Sequence, residues 1–163
     1  MNPVTEPSPY HWQDGLRDGL PIGLGYLSVS FGFGISAVSL GLPAISAILT
    51  SLTNLTSAGQ MAGIAIIASG GSLMEMAAAQ FVINLRYALM SLSLTQKVDD
   101  SFTLLQRMIL SFLITDEIFA VSSTKEKRIG TRYFYGLGLL PILGWVLGTA
   151  LGAFAGMVLP QDL

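Results

Sequence analysis

The chain has 163 residues, 52% of them hydrophobic and only 11% charged, with a net charge of −2. Soluble domains carry about 25% charged residues, so this composition, with mean hydropathy +0.63, marks an all-α, polytopic protein of the lipid bilayer. The absence of cysteine and the single histidine, His11, exclude disulfides, thiolate chemistry and an imidazole metal cluster, and the sparse basic residues argue against nucleic acid as a partner.

Residues 1–19, "MNPVTEPSPYHWQDGLRDG", are acidic and proline-rich, which is not the pattern of a secretory signal. They are expected to form a short N-terminal tail. From Leu20 to Met74 no residue is charged. That is far more than the roughly 20 apolar residues one spanning helix needs, so the window crosses more than once.

Five apolar segments are expected, at about 20–40, 43–69, 72–95, 108–123 and 133–159. The first opens with Pro21, which the start of a helix tolerates. The second is interrupted by "TNLTSAGQ" at 53–60, with Thr53, Asn54, Thr56, Ser57, Gly59 and Gln60 between apolar flanks. Irregular backbone at membrane depth survives only where protein or a water-filled cavity covers it. Broken helices of this kind form substrate sites in transporters, although a polar patch packed on a neighbour would look the same in sequence.

The third segment opens with Gly70-Gly71 followed by Ser72 and Glu75, the S-x-x-E signature of a capping box. Further along, Gln80, Asn84, Tyr87 and Ser91 recur at spacings of four and three, so they share one helix face. Such a stripe either glues helices together or lines a path. Arg86 in this segment and Asp116 with Glu117 in the fourth are ionisable groups among apolar neighbours. On insertion scales each costs about 2.5–3.5 kcal/mol, and such groups pair or face a cavity. If segments three and four form a hairpin about residue 101, Arg86 and Asp116 lie at equal depth and are expected to pair. A structural ion pair and a functional site are both compatible with that. Asp116 and Glu117 are adjacent, about 100° apart on a helix, so they cannot act as a facing catalytic dyad.

The fifth segment has a small residue every four positions, at Gly144, Gly148, Gly152 and Gly156, a face that lets another helix approach closely. Ser28, Gly32 and Ser36 repeat the pattern 120 residues earlier, and "LPI" occurs at both 20–22 and 140–142. An internal repeat is one explanation. Orientation follows from the loop "TKEKRIGTR", with Lys125, Lys127, Arg128 and Arg132, which the positive-inside rule puts in the cytoplasm. Five crossings then place the N-terminus inside and the loop with Lys97 and Arg107 outside. No phosphate loop, H-E-x-x-H or G-x-S-x-G motif is present, so neither an enzyme nor a cofactor is expected.

"INLRYALMSLSL", "ITDEIFA", "WVLGTALGAFAG" and the opening "GLRDGLPIGLGYLSVSFGFGI" together resemble the AzlC family, the large subunit of branched-chain amino acid exporters. "LTSAGQM" keeps Ala58 and Gln60 of the family's broken segment, but has Ser57 for its usual glycine and Met61 for its phenylalanine. The family continues beyond "GMVLPQDL" with further helices, so the chain corresponds to about its first two-thirds. The resemblance implies export of branched-chain amino acids, or methionine, with a small AzlD-type membrane subunit as partner. It implies substrate or coupling roles for Gln60, Asn84, Arg86, Asp116 and Glu117, with Phe31, Phe33, Met61 and Phe119 as cavity walls. The rival expectation is a non-transporting scaffold subunit.

Overall fold

A computed structural model describes residues 8–158, which form seven α-helices and, among the described residues, no strand. They are α1 (Trp12–Ser39), α2 (Ala44–Thr53), α3 (Ser57–Ala68), α4 (Leu73–Leu94), α5 (Leu104–Ser111), α6 (Asp116–Thr124) and α7 (Thr131–Val158). By length and composition α1 and α7, 28 residues each, can cross a membrane. The chain divides into two units. The first holds residues up to Ile22 with Tyr87–Pro141, and the second holds Gly23–Arg86 with the residues from Ile142.

α1 begins eight residues before the expected first segment, so much of the expected tail is helical; residues 1–7 lie outside the described residues. Pro21 is therefore inside α1 rather than at its start, as Pro141 is inside α7. A proline in a helix leaves the carbonyl four residues earlier without its N–H. For Pro141 that carbonyl is Leu137 O, and Gly19 lies directly against it.

In each unit α1 and α7 run parallel. In the first unit Gly15 sits on Tyr133 O and Gly19 on Leu137 O. In the second, Gly144, Gly148 and Gly152 meet the carbonyls of Gly23, Leu27 and Phe31 at a constant offset of 121 residues. The glycine face of α7 is thus a helix contact, as expected. The α1 partner face is not the expected one. Ser28 and Gly32 are exposed, and the contact runs through Gly15, Gly19, Gly23, Ser30 and Gly34.

A Cβ at Gly152 would strike Phe31 O, whereas one at Gly32 meets nothing within 4 Å. Gly152→Ala should therefore destabilise the fold by about 1–3 kcal/mol through overpacking. Gly32→Ala should be neutral or gain up to about 1 kcal/mol of helix propensity. Unfolding midpoints of the two variants in detergent check the contrast.

In the second unit the broken segment folds back on itself. Gln60 near the start of α3 bonds Thr50 near the end of α2, and further from the break Ala47 and Ile64 share a buried cluster with Phe33 and Ala37. α2 and α3 are thus antiparallel arms of a hairpin. At 1.5 Å per residue each is about 15–18 Å long, roughly half of a bilayer's hydrocarbon core. After α3, Gly70 takes φ +69° and the expected capping box closes α4: Ser72 N–H donates to Glu75 (2.6 Å) and Glu75 N–H to Ser72 Oγ (3.2 Å).

The fourth segment differs from its expectation. It is two helices, α5 and α6, separated by Phe112–Thr115. A second capping box, Thr103 with Gln106, starts α5, and Thr115 Oγ1 accepts the Ile118 N–H to start α6 (3.3 Å). The chain then returns to where it left. Asp99 N–H donates to Ile129 O (3.0 Å) and Ile129 N–H to Lys97 O (2.9 Å), bridging Val98 and Ile129. Lys97 Nζ also reaches Lys125 O at 2.6 Å. A straight helix over 104–124 would separate its ends by roughly 30 Å. The loops 96–103 and 125–131, expected at opposite ends of a crossing, instead lie together. The basic loop is also fastened to α1: Lys125 pairs with Asp18 (2.6 Å), Tyr133 donates to the same carboxylate (2.6 Å), and Lys125 stands over the rings of Tyr10 and Tyr133.

Candidate functional site

The interruption between α2 and α3 is only three residues, Asn54 to Thr56. Asn54 leaves the helix with φ −148° and ψ 125°, and its Oδ1 accepts both the N–H (2.8 Å) and the hydroxyl (2.7 Å) of Thr56. This local bonding competes with helical backbone and breaks the run. Thr56 is the N-cap of α3, but its side chain bonds Asn54 instead of capping the helix. The N-terminal amides of α3 therefore lack a side-chain cap, and the helix dipole makes that end partly positive.

Gln60, one turn into α3, is 2% exposed and uses both ends of its amide. Nε2 donates to Asn54 O and, at 3.4 Å, to Thr50 O, carbonyls that the end of α2 leaves without helical partners. Oε1 accepts the indole N–H of Trp145 from α7 at 3.2 Å. Two further buried bonds flank this one along α7: Ser51 with Thr149 at 2.7 Å, and Ser30 Oγ to Gly144 O at 3.4 Å. Tyr26 packs edge-on against Trp145 with ring centroids 5.2 Å apart. The break is thus held by a polar seam inside an apolar unit.

α4 joins the seam through its own stripe. Gln80 Nε2 donates to Gly59 O at 2.8 Å, and Gln80 Oε1 accepts from Asn84 Nδ2 at 3.0 Å. A Cβ at Gly59 would collide with Thr56 Oγ1 and stand 2.7 Å from Gln80 Oε1, so glycine lets the two helices close here. Asn84 Oδ1 is buried and has no partner among the described residues. An uncapped helix N-terminus that can donate and a buried amide oxygen that can accept therefore lie one glutamine apart. Together they can hold a carboxylate and an ammonium.

Of the residues expected from sequence, Gln60 and Asn84 are joined through Gly59 and Gln80. Arg86 is exposed on α4 in the second unit, whereas Asp116 and Glu117 are exposed in the first turn of α6 in the first unit. As first-turn residues, the two carboxylates complement the α6 dipole. Phe33, expected as a cavity wall, fills the core cluster instead. No motif marks Trp145 as a site residue; the only signal is a large indole, which needs an acceptor for its N–H when buried, in a helix otherwise rich in small residues.

A model of the family described as AzlC protein matches residues 21–159. The inner membrane protein YgaZ of Escherichia coli K12 is 29% identical over 98% of this chain and 68% of its own length. An uncharacterized membrane protein of Archaeoglobus fulgidus is 35% identical over 93% of this chain and 65% of its own length. The chain thus spans about two-thirds of either relative. No solved structure matches it.

Proposed function

We propose that this chain, which belongs to the AzlC family of membrane proteins, is the large subunit of an exporter of branched-chain amino acids or methionine. It works in the cytoplasmic membrane with a small AzlD-type membrane subunit. The observation that carries this reading is the pairing, at a helix break, of the uncapped α3 N-terminus with the partnerless Asn84 Oδ1. A zwitterion with an apolar side chain needs donors for its carboxylate, an acceptor for its ammonium and no other charge. Half-helix N-termini serve carboxylates in this way in other transporters. Gln60 holds the break rigid so that the α3 amides stay aimed, and Gln80 orients Asn84. Arg86 and Asp116 take supporting charge roles, and Glu117 carries the coupling proton.

In this reading α1, α4 and α7 cross the bilayer, while α2–α3 and α5–α6 are re-entrant hairpins, three crossings in place of the five expected from hydropathy. Seven of the eight Lys and Arg residues then fall in the N-terminal stretch, 95–107 and 125–132, and none falls in the turns at 40–43 and 69–72. The positive-inside rule puts the former set, and the N-terminus, in the cytoplasm.

Cells carrying the chain with its small partner should tolerate a valine- or leucine-rich dipeptide load that inhibits cells lacking it. Glu117→Gln keeps size and hydrogen bonding but fixes the carboxyl as neutral, and should lower export at least tenfold at matched expression. Export at the parent rate would remove Glu117 from the mechanism. No export by the unmodified chain with its partner would favour the scaffold subunit.

A further inference from the structure

Between the end of α4, the following loop, α5 and the start of α7, the first unit has a half-open cavity of about 190 Å³. Its floor belongs to the core. Leu94, Phe102, Leu110 and Phe134 are buried, and the rings of Phe102 and Phe134 pack edge-on with centroids 6.2 Å apart. Thr95, Arg107 and Ser111 in its lining are exposed, so it opens along one flank as a groove. Ser91 and Ser111 each stand one turn, about 6 Å, further from the 96–103 loop than Thr95 and Arg107. The groove therefore runs alongside α4 and α5, away from that loop.

The lining makes few polar demands on an occupant. Thr95 Oγ1 donates to Leu92 O and Ser111 Oγ to Met108 O, both at 2.6 Å, so these hydroxyls are satisfied by their own helices. The exception is Arg107, the only charged side chain of the lining among the described residues. Its Nε–H donates to Phe102 O at 3.3 Å, which fixes the guanidinium plane, while its two Nη groups have no partner among the described residues. Beside it α5 exposes Leu104, Leu105, Met108 and Ile109, a face suited to acyl chains. An apolar groove thus carries, at its loop end, one oriented cation with free N–H donors.

We infer that this groove binds one anionic phospholipid, with the headgroup phosphate on Arg107 and part of one acyl chain along the apolar wall. Charge complementarity selects this occupant. Lipid tails are as apolar as leucine, so a chain gains little by leaving the bilayer for the groove. The preference is therefore set at the arginine, where a phosphate accepts from both Nη groups in a bidentate fork. Phosphatidylcholine has the same phosphate and tails, but its quaternary ammonium cancels the net charge and stands beside Arg107. A volume of about 190 Å³ takes roughly six groups the size of a water, at about 30 Å³ each. That is a stretch of one chain and not a whole lipid. The site requires only that the protein sits in a membrane; the three-crossing reading adds that the headgroup is one of the cytoplasmic leaflet.

The test uses two probes, phosphatidylglycerol and phosphatidylcholine, each with a diazirine in one acyl chain. Each is diluted to the same fraction into phosphatidylcholine vesicles that hold the unmodified chain. After photolysis, phosphatidylglycerol adducts should concentrate in residues 91–98 and 107–114, which supply most of the groove lining. The phosphatidylcholine probe should give about fivefold less adduct there, the worth of one cation at a membrane surface. Phe81 and Val82, exposed on α4 away from the groove, should take both probes equally. Arg107→Gln should bring the two probes to equal yield without lowering the unfolding temperature, and Arg107→Lys, which keeps the charge, should retain most of the difference. Equal yields from the two probes in the parent would overturn the site, and so would adducts no denser in the groove than at Phe81 and Val82. Loss of the groove adducts when the small membrane subunit is reconstituted alongside would also overturn it, in favour of a protein partner. These arms use the unmodified chain and so do not depend on a variant folding. The vesicles contain no amino acid, so a chain that exports nothing leaves the lipid result standing, and a chain without lipid preference leaves export standing.

Discussion

Gln60→Leu is expected to destabilise the chain by about 2 kcal/mol or more. A single interhelical hydrogen bond in a membrane protein is worth only about 0.6 kcal/mol on average, so a simple deletion of contacts underestimates the effect. The loss arises because two groups lose their partner at once, the buried Trp145 indole N–H and the part-buried Asn54 O, while Thr50 O keeps the Thr53 hydroxyl. Each unsatisfied buried group costs about 1–3 kcal/mol. Leucine fills similar space, so little of the loss comes from a void. Adding Trp145→Phe removes one orphan, and the double variant should recover about 1 kcal/mol of the sum of the two singles. The readout is the unfolding midpoint in detergent at matched expression. A Gln60→Leu chain as stable as the parent would show that the seam does not hold the break.

The same residues show what a sequence can and cannot disclose about this fold. The α2–α3 break was legible because polar residues crowd into eight positions of an apolar run, a density that in lipid means either a break or a polar patch packed on a neighbour. The Ser72–Glu75 box and the α7 glycine face were legible because each is a fixed local spacing. The α5–α6 break is not legible in the sequence, because its signal is short. Thr115-Asp116-Glu117 is an N-cap followed by an acidic first turn, yet apolar flanks made the same carboxylates look like charges inside a spanning helix.

The contact face of α1 was missed for a related reason. Two interleaved sets of small residues, Ser28/Gly32/Ser36 and Gly15/Gly19/Gly23, both keep a spacing of four, and only the partner's position chooses between them. The seam partners Gln60 and Trp145 are 85 residues apart. No periodicity links them. Their meeting depends on α2–α3 turning back against α7, which is tertiary information.

Two re-entrant hairpins in place of two crossings is the claim on which the proposed site depends. It predicts which loops share a side of the membrane. Single cysteines at Ser101, Glu126 and Ser69 lie in the loops 96–103 and 125–131 and in the turn after α3. The most direct measurement is their labelling by a membrane-impermeant maleimide in intact cells and in inverted vesicles. Ser101→Cys and Glu126→Cys should both label only from the cytoplasmic face, and Ser69→Cys only from the opposite face. Labelling of Ser101→Cys from the outside, with Glu126→Cys inside, would restore the fourth segment as a crossing and contradict the account.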